Sequence, residues 1–583
     1  MPLRPPLRPS CRCRGPALRF AAVPSLALRW WPILLLALLC AAGLPAPAAE
    51  APTAFPTGVL VEGVVSLADP GQTYTLLLPA GYPQGGPAPA PAPAPAGEAA
   101  QAPEPSTDGD GESNGAATAP RRWPTLLIFD PRGRSRHAAE LFLEGAQRHG
   151  WILISSDGTR SDGPWEPNER ALAALLPELR RFAVDPGRLY AAGFSGGAHV
   201  AWLLGRTGSL AGVIASGGRE GAEWMADDVP FASFGAAGTL DFNYAGMHAI
   251  DAHFGRRGAP HRLEIFEGVH RWMPPELATE AVGWMEVVAM GQGQRPVDRL
   301  LAADLYAADL ERARELEGDG ELLRAAERYR AILRTYPQIL EPAPDSSKRP
   351  TPERTMLERS KLEAPELDSS EPDSSELGSP ELGEPDSGDR VAPDLAVPAA
   401  RLAALEARDD YAEAVRQRRR WADYEAAYGA RLGRALAELE SPQRPVSTAR
   451  LARRLEIGRL QRLAAEEGAS RAQRRTAGRL LASAFVQTAF YLHRDLRAGG
   501  QIRQAVAVLE VARQIRPDDP VVLYNLACAR ALAGREKEAL EALRAAVDAG
   551  FTNAELLRTD DDLRSLHGRE AFDLLLERLD PAG

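Results

Sequence analysis

The chain has 583 residues, more than one ordinary domain holds, and its 45% apolar content is enough for at least one hydrophobic core. The net charge is −11, and the first 49 residues, with six arginines and no acidic residue, leave the remainder more acidic still. Such an acidic surface disfavours nucleic acids and anionic membranes as partners. Of the four cysteines only Cys528 lies outside the first 49 residues, which excludes internal disulfides and cysteine-based metal sites once that leader is removed.

The amino-terminal segment, residues 1–49, has the features of a secretory signal peptide. An Arg- and Pro-rich stretch precedes the uncharged run Trp30–Ala49, which ends in small residues around Ala46 and Ala48. This run is also about long enough to remain as a membrane anchor, so a cleaved signal and a membrane tether at residues 30–49 both stay open. Either alternative predicts export to the periplasm or the cell exterior.

Residues 50–292 alternate short apolar runs with helical patterns, which predicts a mainly parallel sheet covered by helices on both faces. A Pro- and Ala-rich tract, residues 83–120, lacks the apolar residues for a core and is interpreted as a disordered insertion. The predicted strands are Val59–Leu67, Thr73–Leu78, Leu126–Phe129, Trp151–Ile154, Leu189–Ala192, Gly212–Ala215, Phe231–Phe234 and Leu263–Phe266. The predicted helices are Ser135–His149, Glu166–Phe182, Gly196–Arg206, Tyr244–Arg257 and Pro275–Met290.

The rest of the chain is predicted to be helical around one unstructured linker. Residues 297–337 form a helical segment, residues 338–396 an acidic Pro-, Glu- and Ser-rich linker, and residues 397–583 a second helical region. Gly500–Leu509 aligns with Gly534–Leu543 at an offset of 34 residues. This period resembles tetratricopeptide repeats over residues 484–550, and more loosely over 303–337, which implies an all-α module that binds a protein partner or a second copy. A plain helical bundle is the alternative.

The motif that organises the first region is Gly193-Phe194-Ser195-Gly196-Gly197, placed between a predicted strand and a predicted helix. A serine at this spacing is typical of a nucleophile elbow, where flanking glycines permit a tight, strained turn. A second GxSxG around Ser113 lies in the Pro- and Ala-rich tract, with no strand before it and no helix after it. We interpret that second motif as a chance match.

A serine nucleophile needs a base and a group that orients the base, and elbow folds carry them in the order serine, acid, histidine. Asp241 follows the predicted strand Phe231–Phe234, and His270 follows Leu263–Phe266. Ser195, Asp241 and His270 therefore meet the required order, each just past the carboxyl end of a strand, where ligand sites collect in α/β sheets.

These motifs resemble the α/β-hydrolase fold, in the style of bacterial esterases and of polyester-depolymerase-like or dienelactone-hydrolase-like enzymes. The matching segments are residues 193–197, 238–241 and 268–274. The resemblance implies acyl transfer, in which Ser195 attacks an ester carbonyl, His270 acts as base and then acid, and Asp241 holds the imidazole.

Three further site residues are predicted around the triad. The backbone N–H of Gly196 is one expected oxyanion donor, and Arg132, in the Asp130-Pro131-Arg132-Gly133 loop, is the chosen second donor because Pro131 has no N–H. Trp272 is expected to line the substrate pocket, with core packing as an equal alternative. The segment Gly217–Val229, with Trp224 and Met225, is interpreted as a short cap that leaves the site open.

Other acids and histidines compete for the same roles. The alternative bases are His248, His253 and His261, and the alternative acids are Asp227, Asp228 and Asp251, while Asp130 and Asp157 follow strands in the wrong chain order. No residues have metal-ligand spacing, so neither metal nor organic cofactor is expected. An exported carboxylic ester hydrolase is the preferred function. An inert hydrolase-fold scaffold that acts through its helical repeats, and a serine peptidase of the same fold, are the alternatives.

Overall fold

The computed structural model describes residues 55–83, 121–161, 163–218, 229–340, 394–439 and 447–580. The predicted leader, nearly all of the Pro- and Ala-rich insertion and residues 341–393 of the acidic linker lie outside these residues. Most of the predicted cap, including Trp224, Met225 and the alternative acids Asp227 and Asp228, also lies outside them. Within the described part of the chain, no helix combines the length and the apolar character that crossing a bilayer requires.

One eight-stranded sheet forms the centre of the first region, in the order β1-β2-β4-β3-β5-β6-β7-β8. β2 runs antiparallel to both of its neighbours, and all pairs from β4 to β8 are parallel. Strands β3, β4, β6 and β7 are buried along their whole length, as expected for a sheet covered on both faces. The strands are β1 Leu60–Val65, β2 Thr73–Leu77, β3 Trp123–Phe129, β4 Ile152–Ser156, β5 Val184–Phe194, β6 Gly212–Ser216, β7 Ala232–Gly238 and β8 His261–Phe266.

Five helices connect or follow these strands and cover the sheet. The core contains Phe142 of the first helix and Trp284 of the fifth, both packed on apolar strand residues such as Leu126 and Phe234. The architecture is an α/β-hydrolase sheet with flanking helices, so the predicted fold class is confirmed. The helices are α1 Ser135–His149, α2 Glu166–Glu178, α3 Gly196–Gly205, α4 Tyr244–Arg257 and α5 Pro275–Gly291.

The parallel register brings the ends of the strands to one edge. Phe129 lies opposite Ser156 on β4 and opposite Gly193 on β5, and Phe194 lies opposite Ser216 on β6. The loops after β3, β4, β5, β6, β7 and β8 therefore emerge together, which is where parallel sheets assemble ligand sites.

The chain divides into two compact units, the first of which ends at Ala422. Beyond the sheet, this unit contains helices from the segment predicted as a separate helical region. Tyr306, Tyr329 and Tyr336 are buried with Met290 of α5 in one apolar cluster. The helices, the last of which continues past the unit's boundary, are α6 Arg299–Gly318, α7 Leu322–Thr335, α8 Pro337–Leu340, α9 Ala396–Glu406 and α10 Asp409–Ala437.

The second unit, described over residues 423–439 and 447–580, is helical. Ala505 and Ala539, the small residues at equivalent positions of the 34-residue offset, are both fully buried, on α15 and α17 respectively. The helices are α11 Thr448–Arg454, α12 Ile457–Ala465, α13 Arg471–Val486, α14 Leu492–Ala498, α15 Ile502–Ile515, α16 Pro520–Leu532, α17 Glu536–Asp548, α18 Ala554–Thr559 and α19 Glu570–Leu579, with a π-helical turn Gln487–Tyr491 and a 3₁₀ helix Asp561–Leu566.

Candidate active site

Ser195 stands on a strained turn between β5 and α3. Its backbone has φ 52° and ψ −117°, and among the described non-glycine residues only Glu456 shares a positive φ. A Cβ on Gly193 would lie 2.1 Å from the carbonyl oxygen of Gly197, and a Cβ on Gly197 would lie 1.9 Å from that of Phe129. Both flanking positions of the motif therefore exclude any side chain. The close backbone packing at these two glycines keeps Ser195 in its strained conformation.

His270 lies within hydrogen-bond reach of both of its predicted partners, Ser195 and Asp241. His270 Nε2 is 3.0 Å from Ser195 Oγ, and His270 Nδ1 is 2.9 Å from Asp241 Oδ1. Because an ionised carboxylate can only accept, Nδ1 carries the proton, and neutral Nε2 then accepts from the serine hydroxyl. Asp241 is fully buried, while the His270 side chain keeps 19% of its surface exposed.

The Asp241 carboxylate is positioned by the loops after β6 and β7. Its Oδ1 also accepts from the backbone N–H of Asn243 at 2.8 Å, and the Asn243 amide donates to the carbonyl of Gly217 at 2.7 Å. A Cβ on Gly217 would lie 2.6 Å from Asp241 Oδ2 and 3.1 Å from His270 Nδ1. The glycine therefore leaves the space in which the acid and the histidine meet.

Two aromatic rings flank the His270 imidazole. The ring centroid of Phe194 lies 4.6 Å from that of His270, and the centroid of Phe242 lies 4.1 Å from it. Sequence reasoning missed both rings, although each is the immediate neighbour of a triad residue, Ser195 or Asp241. Their contacts restrict the imidazole to the orientation that serves both partners.

One predicted oxyanion donor is suitably placed and the other is not. Gly196 is the first residue of α3, and N–H groups in the first turn of a helix have no intrahelical acceptor. The backbone N–H of Arg132, however, donates to Asp130 Oδ1 at 2.8 Å, inside its own loop. Assigning Arg132 as the second donor is therefore wrong, because its backbone N–H is bonded to the Asp130 carboxylate. Nothing in the sequence pattern marked Asp130 as the acceptor of that N–H.

That carboxylate, Asp130, is fully buried and forms a centre of hydrogen bonds behind the site. It accepts from the Arg134 guanidinium at 3.1 and 3.0 Å and from the Trp272 indole N–H at 2.8 Å. Burial raises the pKa of Asp130, but these donors and the backbone N–H groups of the loop outweigh it and leave the pKa below its usual range. Asp130 thus organises the loop and takes no part in the triad.

Of the two alternatives for Trp272, the structure supports core packing and not a lining of the substrate pocket. The side chain is only 5% exposed, packs edge-on against Phe142 and lies 5.8 Å from the Phe194 ring. A buried indole N–H needs an acceptor, and Asp130 provides it. Trp272 therefore supports, from inside the core, the loop that follows β3 and the ring beside His270.

The competing residues lie elsewhere in the described fold. His248, Asp251 and His253 are on α4, and His261 begins β8 at the strand end opposite His270. Asp157 follows β4 and accepts from the hydroxyls of Ser135 and Thr73. The Ser195 hydroxyl is bonded instead to His270.

No protein-family model matches this chain, and no curated protein sequence matches it. Among solved structures, fluorophosphonate-binding serine hydrolase F of Staphylococcus aureus is 13% identical, over 40% of this chain and 99% of its own, with a TM-score of 0.29. An esterase from Pyrobaculum calidifontis is 10% identical, over 46% of this chain and 93% of its own, with a TM-score of 0.28. A ferulic acid esterase is 13% identical, over 39% and 96%, with a TM-score of 0.27. Likenesses this distant carry no argument about activity.

In the second unit, one group of described side chains has metal-like spacing. Ligand atoms of Cys528, Asp560 and Asp562 lie within 4.8 Å of one another. Asp562 is paired with Arg497, and Asp560 accepts from the Tyr524 hydroxyl. Burial, together with nearby Asp560, raises the pKa of the Cys528 thiol well above its usual range. Protein contacts thus satisfy both carboxylates, and the sulfur is held in its protonated form.

Proposed function

We propose that this protein is a serine hydrolase that cleaves carboxylic esters. The observation that carries the proposal is the continuous hydrogen-bonded chain from Ser195 through His270 to Asp241, at 3.0 and 2.9 Å, on a strained strand-to-helix turn. Such a chain makes an alcohol nucleophilic because the histidine takes its proton and the buried carboxylate stabilises the resulting imidazolium.

Each residue has one role in the proposed reaction. Ser195 Oγ attacks the acyl carbon as its proton passes to His270 Nε2, and the carbonyl electrons move onto the oxygen. The Gly196 N–H stabilises that oxyanion. His270 then returns the proton to the leaving alkoxide, and water repeats the sequence to release the acid.

The test is covalent labelling together with turnover. The purified full chain should bind a fluorophosphonate probe at Ser195 and release p-nitrophenol from short acyl esters, and Ser195→Ala should abolish both activities. Ser113→Ala is the matched control, because Ser113 stands in the chain's other GxSxG motif and should be silent.

The alternatives predict different outcomes of the same experiment. Folded protein that takes no label would support an inert scaffold instead. Label uptake with cleavage of peptides in preference to esters would support a serine peptidase.

For the second unit we propose an interaction module. The 34-residue offset, the buried alanines at equivalent positions and the packing of α16 against both α15 and α17 support tetratricopeptide-like helix pairing. This module is expected to bind a protein partner or a second copy of the chain. Light scattering of the full chain across a concentration series distinguishes the second copy, since only self-association makes the mass rise with concentration.

Export completes the proposal and rests on the sequence of residues 1–49. Fractionation of producing cells should recover the protein outside the cytoplasm. Amino-terminal sequencing of that material separates a cleaved signal from a retained tether at residues 30–49.

A further inference from the structure

His270 gains a positive charge during the proposed reaction, and its surroundings determine the free energy of that charge. The imidazole becomes a cation when Nε2 takes the Ser195 proton, and the Asp241 carboxylate stabilises the cation at the edge that carries Nδ1. The faces of the imidazole have no hydrogen-bonding atoms, and only 19% of the side chain is exposed. Stabilisation at the faces therefore depends on the side chains that pack against them.

Phe242 is the nearer of the two aromatic rings beside the imidazole. Its centroid lies 4.1 Å from that of His270, with 39° between the ring planes. The Phe194 centroid lies 4.6 Å away, with 41° between the planes. Rings this close and this little tilted overlap through their faces, because an edge-on approach holds the centroids farther apart.

An aromatic face affects a neighbouring cation differently from an aliphatic side chain. Both kinds of side chain exclude water, which by itself disfavours the charged imidazole. The aromatic face also carries the negative part of the ring quadrupole, which attracts a cation within about 6 Å of the ring centroid. Phe242 and Phe194 both lie inside that distance. The two rings therefore offer His270 a dry environment that still stabilises the charge it gains.

The loop that carries Phe242 is fixed to the loop that carries His270. Two backbone hydrogen bonds of 2.8 Å join the loops, from the N–H groups of Thr239 and Leu240 to the carbonyls of Phe266 and Gly268. The Asp241 carboxylate closes the turn around Phe242, because its Oδ1 accepts from the Asn243 N–H at 2.8 Å. The ring therefore needs little reorganisation when the charge appears, which is the condition for effective electrostatic stabilisation.

We propose that the Phe242 ring stabilises the His270 imidazolium through a cation–π interaction, an inference that rests on the proposed hydrolase function. The interaction strengthens as the Ser195 proton reaches Nε2, and it weakens when that proton passes to the leaving alkoxide. The phenyl ring forms no covalent bond and takes no proton. Phe242 is a positioning residue, because it acts through His270.

Fluorination of the ring at position 242 tests this role, because fluorine withdraws electron density from the aromatic face and changes the size of the ring little. Phe242 of the full chain is replaced in turn by monofluoro-, trifluoro- and pentafluorophenylalanine, and hydrolysis of a p-nitrophenyl ester is measured. We expect kcat to fall stepwise with the number of fluorines, to about one tenth of the wild-type value for the pentafluoro ring, with KM changed less than about threefold.

Natural substitutions give an independent check on the same residue. Phe242→Leu should lower kcat about tenfold, whereas Phe242→Tyr, which keeps the aromatic face, should stay within about threefold of wild type. Tyr244→Leu is the matched control. Tyr244 is half-buried like Phe242, and its ring contacts His248, a histidine outside the triad, with the centroids 4.6 Å apart. The control should therefore keep the wild-type kcat.

The possible results distinguish the role of Phe242 from the hydrolase proposal itself. Wild-type protein that takes no fluorophosphonate label and hydrolyses no ester refutes the hydrolase proposal, and the role of Phe242 with it. Active wild type whose kcat is constant along the fluorinated series overturns only the role of Phe242, because a ring that merely packs is insensitive to its electron density. Equal losses of kcat and of melting temperature in the tyrosine and leucine variants indicate packing and also overturn it.

Discussion

Replacing Arg328 by methionine should lower the stability of the first unit more than any substitution of an exposed residue on the same helix. Arg328, on α7, is 4% exposed and contacts three carboxylates: Asp309 at 2.7 Å, Glu264 at 2.7 Å and Glu280 at 2.6 Å. The second guanidinium in the cluster, Arg262 of β8, is 3% exposed and contacts the same three acids. The substitution leaves one cation to face three acids in the interior.

The size of the effect follows from the burial of the charges. Removing one partner of a buried ion pair typically costs about 3–5 kcal/mol, because the remaining charge is left uncompensated. We expect about 4 kcal/mol here, which lowers the melting temperature of the unit by about 10 °C at about 2–4 °C per kcal/mol. Arg330→Met, two residues along α7, is the matched control. Its partner Glu406 is 42% exposed, so the loss should stay below about 1 kcal/mol.

The pH dependence of the loss gives a second check. Burial already raises the pKa of Glu280, although both arginines oppose the shift, and removing Arg328 raises it further. An acid whose folded pKa lies above its unfolded value binds a proton in the folded state first, so stability falls as pH rises through that window. The methionine variant should therefore lose more stability at pH 8 than at pH 5.

Differential scanning calorimetry of the full chain at both pH values measures these quantities. If Arg328→Met lowers the free energy of unfolding no more than Arg330→Met does, the argument that the charges of this cluster are desolvated is refuted. If the variant loses more stability at pH 5 than at pH 8, the argument that the folded state retains a proton on Glu280 is refuted.

Three further predictions follow from single features of the structure. Asp241→Asn should lower kcat about 10⁴-fold at neutral pH with little change in melting temperature, because an amide favours the wrong imidazole tautomer; retained turnover would contradict the triad. Gly217→Ala and Gly208→Ala both place a side chain at positive φ, but only the Cβ at position 217 meets the triad, so ester hydrolysis should be lost in the first variant alone. Burial lowers the pKa of His493 to about 4, below the usual 6.5, so the second unit should lose stability as pH falls from 6.5 to 4. Urea unfolding of His493→Gln across that range should show a flatter pH dependence than wild type, and an equal slope would assign the effect to other groups.

Much of the hydrolase fold could be predicted because its signals are local. The helices Ser135–His149 and Tyr244–Arg257 begin and end at the residues that the apolar periodicity indicated. Strand β5 begins at Val184, five residues before the predicted start, because its first part is half exposed and carries no continuous apolar run. Periodicity thus predicts elements whose burial is uniform, and it underestimates those whose burial changes along the strand.

The assignment of Arg132 failed, and the role of Trp272 stayed undecided, for a different reason. Both depend on which groups surround Asp130, a fully buried carboxylate whose partners come from its own loop and from position 272, 142 residues away. Contacts between loops carry no periodic signal in the chain.

By itself, the order of residues determined the alternation of strands and helices, the strained turn at Ser195, and the order of serine, acid and histidine along the chain. These depend on backbone sterics and on burial within one element. Only the tertiary structure decided where hydrogen-bond donors point, which tryptophan is core, and that helices α6 and α7 share buried charges with β8 and α5. These features depend on the free energy of giving each buried polar group a hydrogen-bond partner. That partner comes from a distant segment of the chain, so it is determined only when the segments pack together.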